Sequence, residues 1–311
     1  MRKALAILPF LLVVPGVSDA EPNPVAAKAA LTTACSIPSG WADIAQRKPH
    51  FIVFGEIHGT EEAPELVGSV ACALAAQGKS ILVAVEHNVS FDAAYQAAWQ
   101  LPPEKFAAAL LHEGWNESTD GKGSVAMLTM IEHLHQLAWQ GRAIRIAAFD
   151  GNRDDEQRRQ FSTLPGQGPR EAAQADNIRI AANAGSYDLV LVLTGNIHAR
   201  KLPFDRNGAA VEPMAMHLAR VGPMVTLDAR YSGGGAWTCQ LKPGLKLQPG
   251  KTLSTDAIEC AVHDFGSQPD LGPVPFVSLA ASSDAAKAYD GFFWLGTAHG
   301  SPPAAQAHLA R

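Results

Sequence analysis

Phe51-Ile52-Val53-Phe54-Gly55-Glu56-Ile57-His58 is the stretch from which the rest of the chain can be read: four apolar residues run straight into a glycine, a carboxylate and an imidazole. A short apolar run without polar alternation reads as a strand buried on both faces, as in parallel sheets covered by helices. The pattern recurs. Ile81 to Val85 ends at Glu86-His87-Asn88, Ile144 to Phe149 ends at Asp150, and Met224 to Leu227 ends at Asp228. Asp188 to Leu193 runs into Thr194-Gly195-Asn196-Ile197-His198. Helical patterns lie between these runs: about Glu61 to Gln77, opened by acidic residues that suit a helix N-terminus; roughly Phe91 to His112, broken at Pro102-Pro103; Ser124 to Gln140, with Leu128, Ile131, Leu134 and Ala138 on one stripe; and Arg170 to Ala184. The alternation predicts an α/β fold: a largely parallel central sheet with helices on both faces, a helical insertion after the second strand and a C-terminal β/loop excursion.

The ends of the chain set its boundaries. Arg2 and Lys3, the apolar run Ala4 to Val14, and the small residues before Glu21 read as a signal peptide over 1–20, hence a periplasmic or secreted protein. Residues 21–295 are expected to form one domain, with a loop or hairpin excursion at 229–270, where Gly233-Gly234-Gly235 leads a segment rich in Gly and Pro. Gly291 to Leu295 brings a last strand back, and 296–311, rich in Ala, Pro and Gly, reads as a loose tail. Net charge is −5, and −6 once Arg2, Lys3 and Asp19 are removed, with no basic cluster, which argues against a nucleic-acid partner. No stretch after the leader approaches the ~20 apolar residues of a spanning helix. Four cysteines in an exported chain suggest disulfides, and Cys239 with Cys260 and Cys35 with Cys72 are the pairings to try first. The former closes a loop of about 20 residues, worth roughly 3 kcal/mol.

In open parallel sheets ligands bind beyond the carboxyl ends of the strands. Here that rim gathers two histidines and several carboxylates. Gly55 and Gly195 would let the chain turn sharply and present the residue three positions on. Two Gly-x-x-His motifs, each directly after an apolar strand, with Glu86 at a third strand end, select Glu56, His58, Glu86 and His198 as a shared pocket.

On these motifs the chain resembles the Tiki/ChaN/erythromycin-esterase superfamily, over roughly Phe51 to Asp228. Gly-Glu-Ile-His, Val-Glu-His and Gly-Asn-Ile-His match in order and spacing, and the resemblance implies Glu56, His58, Glu86 and His198 as site residues. Arg170, Ala175 and Asn177 are similar to a helix of the esterase branch. Arg170, Gln174 and Asn177 lie at i, i+4 and i+7, so one helical face presents either a cation and two amides to the site or an ordinary solvated polar surface. The resemblance implies three behaviours: divalent-metal peptidase, metal-free esterase and haem binder.

Each has a physical reading. His58, His198 and Glu56 or Glu86 could ligate Zn, Mn, Co or Fe, which would lower the pKa of bound water and polarise a carbonyl, with the remaining Glu as general base. Without a metal, His58 would take a proton from water, oriented by Glu56 or Glu86, while His198 or Arg170 steadies the oxyanion. A haem would need an axial His or Tyr; Tyr95, Tyr187 and Tyr231 carry no local pattern that marks a ligand. His133 and His135, two apart on a helix, point to different sides, with His135 toward the core. His87 reads either as a residue that orients a ligand or as an exposed turn histidine. The reading favoured by the sequence is a hydrolase using metal-assisted water attack on a small-molecule or peptide amide or ester; the alternative is a haem- or metal-binding protein involved in uptake.

Overall fold

Strand β1 (Phe51–Glu56) runs through the middle of the protein, every residue of it buried. The computed structural model describes residues 35–112, 115, 120–242, 244–245, 257–280 and 288–305, all within one compact unit. The segment expected to be a signal peptide lies outside them.

In chain order, α1 (Trp41–Gln46) precedes β1, which is followed by α2 (Glu62–Ala76) and β2 (Ile81–Asn88). The helical insertion after the second strand is α3 (Asp92–Ala98), α4 (Pro103–His112) and α5 (Val125–Trp139). The break expected at Pro102-Pro103 separates α3 from α4, and Pro103 opens α4 because the first helical turn needs no amide donor there. Then come β3 (Ile144–Asp150), α6 (Asp155–Phe161), α7 (Gly168–Asn183) and β4 (Leu189–Gly195). A small hairpin, β5 (Phe204–Arg206) and β6 (Ala209–Val211), and α8 (Met214–Leu218) lead to β7 (Met224–Arg230). The C-terminal part holds β8 (Gly233–Leu241), β9 (Ile258–Asp264), β10 (Phe276–Leu279), β11 (Gly291–Trp294) and β12 (Thr297–Ala298).

The seven-stranded sheet has the order β10-β11-β7-β1-β4-β2-β3, with all pairs parallel except β10 with β11. The continuous apolar runs are explained by helices on both faces. Ile52 and Phe54 join the core formed with α2 and α5, while Phe51 and Val53 join the core formed with α7 and α8. Each such fully buried side chain contributes about 1.5–3 kcal/mol of transfer free energy. Ser124 caps α5 through Met127 N at 3.2 Å.

The excursion is the antiparallel pair β8–β9, with Cys239 and Cys260 directly opposite and joined as a disulfide. Cys35 and Cys72 form the second disulfide. The expected loose tail is corrected over its described part. Residues 296–305 are docked: β12 pairs with β8, Gly300 bridges Thr60 and Pro303 bridges Ser124. Small side chains make this possible, with Ala298 and Ala304 fully buried. Residues 306–311 lie outside the described set.

Candidate active site

β1 and β4 run side by side, Gly55 opposite Thr194 and Glu56 opposite Gly195, so the two Gly-x-x-His turns leave the sheet together. Neither motif glycine has a positive φ, so the sharp turn expected of each is not their role. Both supply room instead. A methyl on Gly195 would sit 3.0 Å from His58 Nε2, and one on Gly55 would sit 2.8 Å from Ala199 Cβ. Each glycine therefore seats the other motif. The turn residue proper is Gly59, at φ 81°, where a Cβ would meet Trp237 O at 2.2 Å.

Glu86 is the hub. Its Oε2 accepts from Thr194 Oγ1 and Gly195 N, both at 2.7 Å, and lies 3.3 Å from His58 Nε2. Its Oε1 accepts from Arg170 Nη2 at 3.1 Å and lies 3.5 Å from His198 Nε2. Burial alone would raise its pKa, but the charges of His58, His198 and Arg170 and the hydrogen bond from His58 hold it well below the usual carboxylate range.

The two histidines have different surroundings. His58 lies between carboxylates, with Nδ1 3.0 Å from Glu56 Oε1 and Nε2 near Glu86. Burial favours its neutral ring, yet the Glu86 charge and the hydrogen bonds to Glu56 and Glu86 outweigh it and lift the pKa to about 10. Glu56 is pushed up by its own burial, only partly offset by His58, and its Oε2 has no hydrogen-bond partner. His198 Nδ1 lies 2.8 Å from Oε2 of the fully buried Glu171, an oxygen that also accepts from Met214 N at 2.9 Å. A carboxylate that accepts makes Nδ1 a donor, so the tautomer of His198 that this contact selects has its lone pair on Nε2.

Arg170 meets that lone pair, with Nη1 3.3 Å from His198 Nε2. Its Nε and Nη2 fork onto the two oxygens of Asp150, each at 2.8 Å. The paired acids raise its pKa, and Arg170 in turn lowers that of Asp150 against the effect of burial. The face of α7 is turned inward as the i, i+4, i+7 spacing suggests: Gln174 donates to Asp150 at 2.9 Å, and Asn177 donates to Phe149 O and Gly151 O. Lys122 Nζ adds a second cation 3.4 Å from Asp150. Thus Glu56, His58, Glu86, His198 and Arg170 converge on one place. Glu171 was not foreseen, since an acid in the first turn of a helix usually complements the helix dipole.

Two further histidines, His87 and His135, are packed in the interior. His87 is buried, its Nε2 donating to Lys122 O and its Nδ1 accepting from the Tyr95 hydroxyl, which in turn receives Trp115 Nε1. Burial lowers its pKa to about 4; it is not an exposed turn histidine. His135 stacks on Phe106 at 3.9 Å within the core. The Tyr95 and Tyr231 hydroxyls are both engaged, the latter with Thr60 at 3.1 Å.

The residues expected to ligate a metal do not fit one. Both His58 nitrogens face carboxylates that hold its proton, and the His198 lone pair faces a guanidinium, which repels a second cation placed there. Among the described residues, three potential ligand atoms come within 4.8 Å of one another only at Cys35, Cys72 and His133, and those two sulfurs are spent in a disulfide.

Beside the site a cavity of about 270 Å³ opens between the strand ends and the helical insertion, lined by Phe91, Tyr95, Trp115, Asp120 and Lys122 along with Glu86 and Asp150.

No family model and no curated protein matches the chain. Solved structures do. The chain is similar to an erythromycin esterase mutant in its open conformation, with TM-score 0.53 and 12% identity over 81% of this chain and 92% of the other. A succinoglycan biosynthesis protein matches with TM-score 0.55 and 11% identity, over 87% and 94%. A protein from Bacillus cereus matches with TM-score 0.52 and 10% identity, over 88% and 95%. The likeness is one of fold. A haem-bound ChaN of Campylobacter jejuni matches with TM-score 0.37, too distant to inform the cofactor.

Proposed function

We propose that this chain, which shares the fold of an erythromycin esterase, is an exported hydrolase that adds water to an ester or amide without a metal, with His198 as the base. The Glu171–His198 hydrogen bond carries this reading: it favours the proton on Nδ1 and leaves Nε2, beside Arg170 and Glu86, as the accepting nitrogen. His58, foreseen as the base, already holds a proton up to about pH 10 and acts as the opposing cation. Two titratable groups whose surroundings differ in this way make an acid and base assignment.

In the proposed reaction water attacks the substrate carbonyl carbon while its proton passes to His198 Nε2. The negative charge that develops on the carbonyl oxygen is met by Arg170 Nη1, the guanidinium nitrogen with no carboxylate partner, and by the His58 imidazolium. The protonated His198 then gives its proton to the leaving oxygen or nitrogen as its bond to carbon breaks. Glu86 keeps both rings and Arg170 in register. Asp150 and Gln174 hold the guanidinium plane.

The two disulfides fit an oxidising compartment, and no helix among the described residues is long and apolar enough to cross a membrane.

The test is a panel of aryl and alkyl esters and amides, run on protein treated with a strong chelator. Turnover that survives chelation and falls roughly 10³-fold in His198→Gln supports the reading. Turnover lost on chelation and restored by a divalent metal overturns it. So does a colourless, folded protein that hydrolyses nothing on the panel.

A further inference from the structure

The proposed hydrolase does not use the apolar surface on the other side of the β1–α2 turn. There a cavity of about 500 Å³ is walled by Ile57, Tyr231, Phe265, Leu271 and Trp294. Its size is that of a small-molecule site, and its walls are aliphatic and aromatic as such sites require. Tyr231 and Trp294 are buried and form a fixed floor, while Leu271 is 43% exposed at the mouth. Exposed apolar side chains concentrate in this part of the chain: Ile258, Val262, Leu271 and Val274 are all at least 38% exposed.

One cation lies on this apolar wall. Arg230, at the end of β7, lines the cavity with its guanidinium 4.1 Å from the centroid of the Phe292 ring. Stacking on an aromatic face holds the planar group while leaving its N–H edges open. The Arg230 guanidinium has no hydrogen bond or ion pair among the described residues, whereas its backbone carbonyl accepts from Leu295 N. Asp228 feels its charge without pairing with it. By contrast Arg170 on α7 is forked onto Asp150, and Arg220 beyond α8 is paired with Glu212 at 2.7 Å.

We infer that this cavity is a binding site for an amphiphilic carboxylate, whose hydrocarbon part fills the space between Tyr231, Phe265, Leu271 and Trp294 and whose carboxylate is received by Arg230. The lining dictates the chemistry: apolar walls take a chain or ring, and an open guanidinium edge matches a carboxylate with two parallel hydrogen bonds. Ile57, between Glu56 and His58, belongs to this wall, so the site adjoins the turn that carries His58. The inference does not depend on hydrolysis.

Calorimetric titration of the full mature chain with decanoate, decanol and decyltrimethylammonium, each below its micelle concentration, tests it. Decanoate is expected to saturate at one equivalent, with decanol roughly tenfold weaker and the ammonium weaker still. Arg230→Gln should bring decanoate to the level of decanol and leave decanol unchanged. Leu271→Asp, at an exposed position the fold tolerates, should weaken both. His198→Gln should leave decanoate binding as it is, which separates this site from the hydrolytic pocket. Absence of saturation, equal affinity for the carboxylate and the ammonium, or loss in His198→Gln but not in Arg230→Gln would each overturn it.

Discussion

The two Gly-x-x-His turns are alike in sequence and opposite in chemistry. Both come directly after a buried parallel strand, both place an imidazole on the same rim, and both reach Glu86, at 3.3 Å for His58 and 3.5 Å for His198. The difference lies in the second partner. His58 has another carboxylate, Glu56, within the same turn, and the two acids together retain its proton. His198 has Glu171 from α7 behind it and Arg170 in front, so its outer nitrogen meets a guanidinium donor as well as the shared Glu86 carboxylate. Motif identity fixes where a side chain stands; the charges packed around it from other elements fix what it does.

The largest effect should come from the second turn. His198→Gln is expected to lower kcat by about 10³–10⁴-fold on any substrate the protein turns over, and Glu171→Gln by roughly 10²-fold with little change in KM. If His58→Gln were the costlier change and Glu171→Gln neutral, the roles would have to be exchanged. Next is Arg170→Gln, expected to cost about 10²–10³-fold in kcat through loss of the donor facing the oxyanion. It should also destabilise the fold by about 3 kcal/mol, because Asp150 and Glu86 lose their counter-charge; urea unfolding would read this.

The hairpin contrast comes third. Trp237 N donates to Gly59 O at 2.9 Å, so β8–β9 buttresses the first turn and not the second. Replacing Cys239 and Cys260 by Ser should cost roughly 3 kcal/mol, with faster amide exchange in the His58 turn than in the His198 turn. Equal acceleration in both would deny the asymmetry. The last contrast is in pH dependence. His58 holds its proton to about pH 10 in the fold, against 6.5 for a free ring. Its contribution to stability is therefore whole below pH 6.5 and disappears as pH rises through 10. Unfolding midpoints of wild type and His58→Gln, measured from pH 6 to 11, should converge at the alkaline end.

Much of this was legible in the sequence, for physical reasons. Strands covered on both faces are continuous apolar runs, so β1, β2, β3, β4 and β7 stand out, and the residues just past their carboxyl ends make up the rim. Thr194 and Asp150 fall in place with them. Glu171 was invisible because its burial depends on α8 packing over α7, where Met214 N and His198 meet it. The hairpin Phe204–Val211 was hidden because its three-residue strands are largely exposed and carry no run of apolar residues. Residues 296–305 looked like a tail because alanine, glycine and proline are poor in signal, yet their small size is what lets that segment lie against Thr60 and Ser124. What weighs against the metal reading is Arg170: sequence showed a cation on a helix but not that it reaches His198.

The difference in protonation between the two histidines can be tested without knowing the substrate. Side-chain ¹⁵N NMR of histidine-labelled protein at pH 7 should show one ring protonated at both nitrogens, persisting to about pH 10 and absent in His58→Gln. A second ring should carry its proton on Nδ1 and a lone pair on Nε2, and be absent in His198→Gln. A neutral His58 at pH 7, or a His198 with its proton on Nε2, would contradict the account.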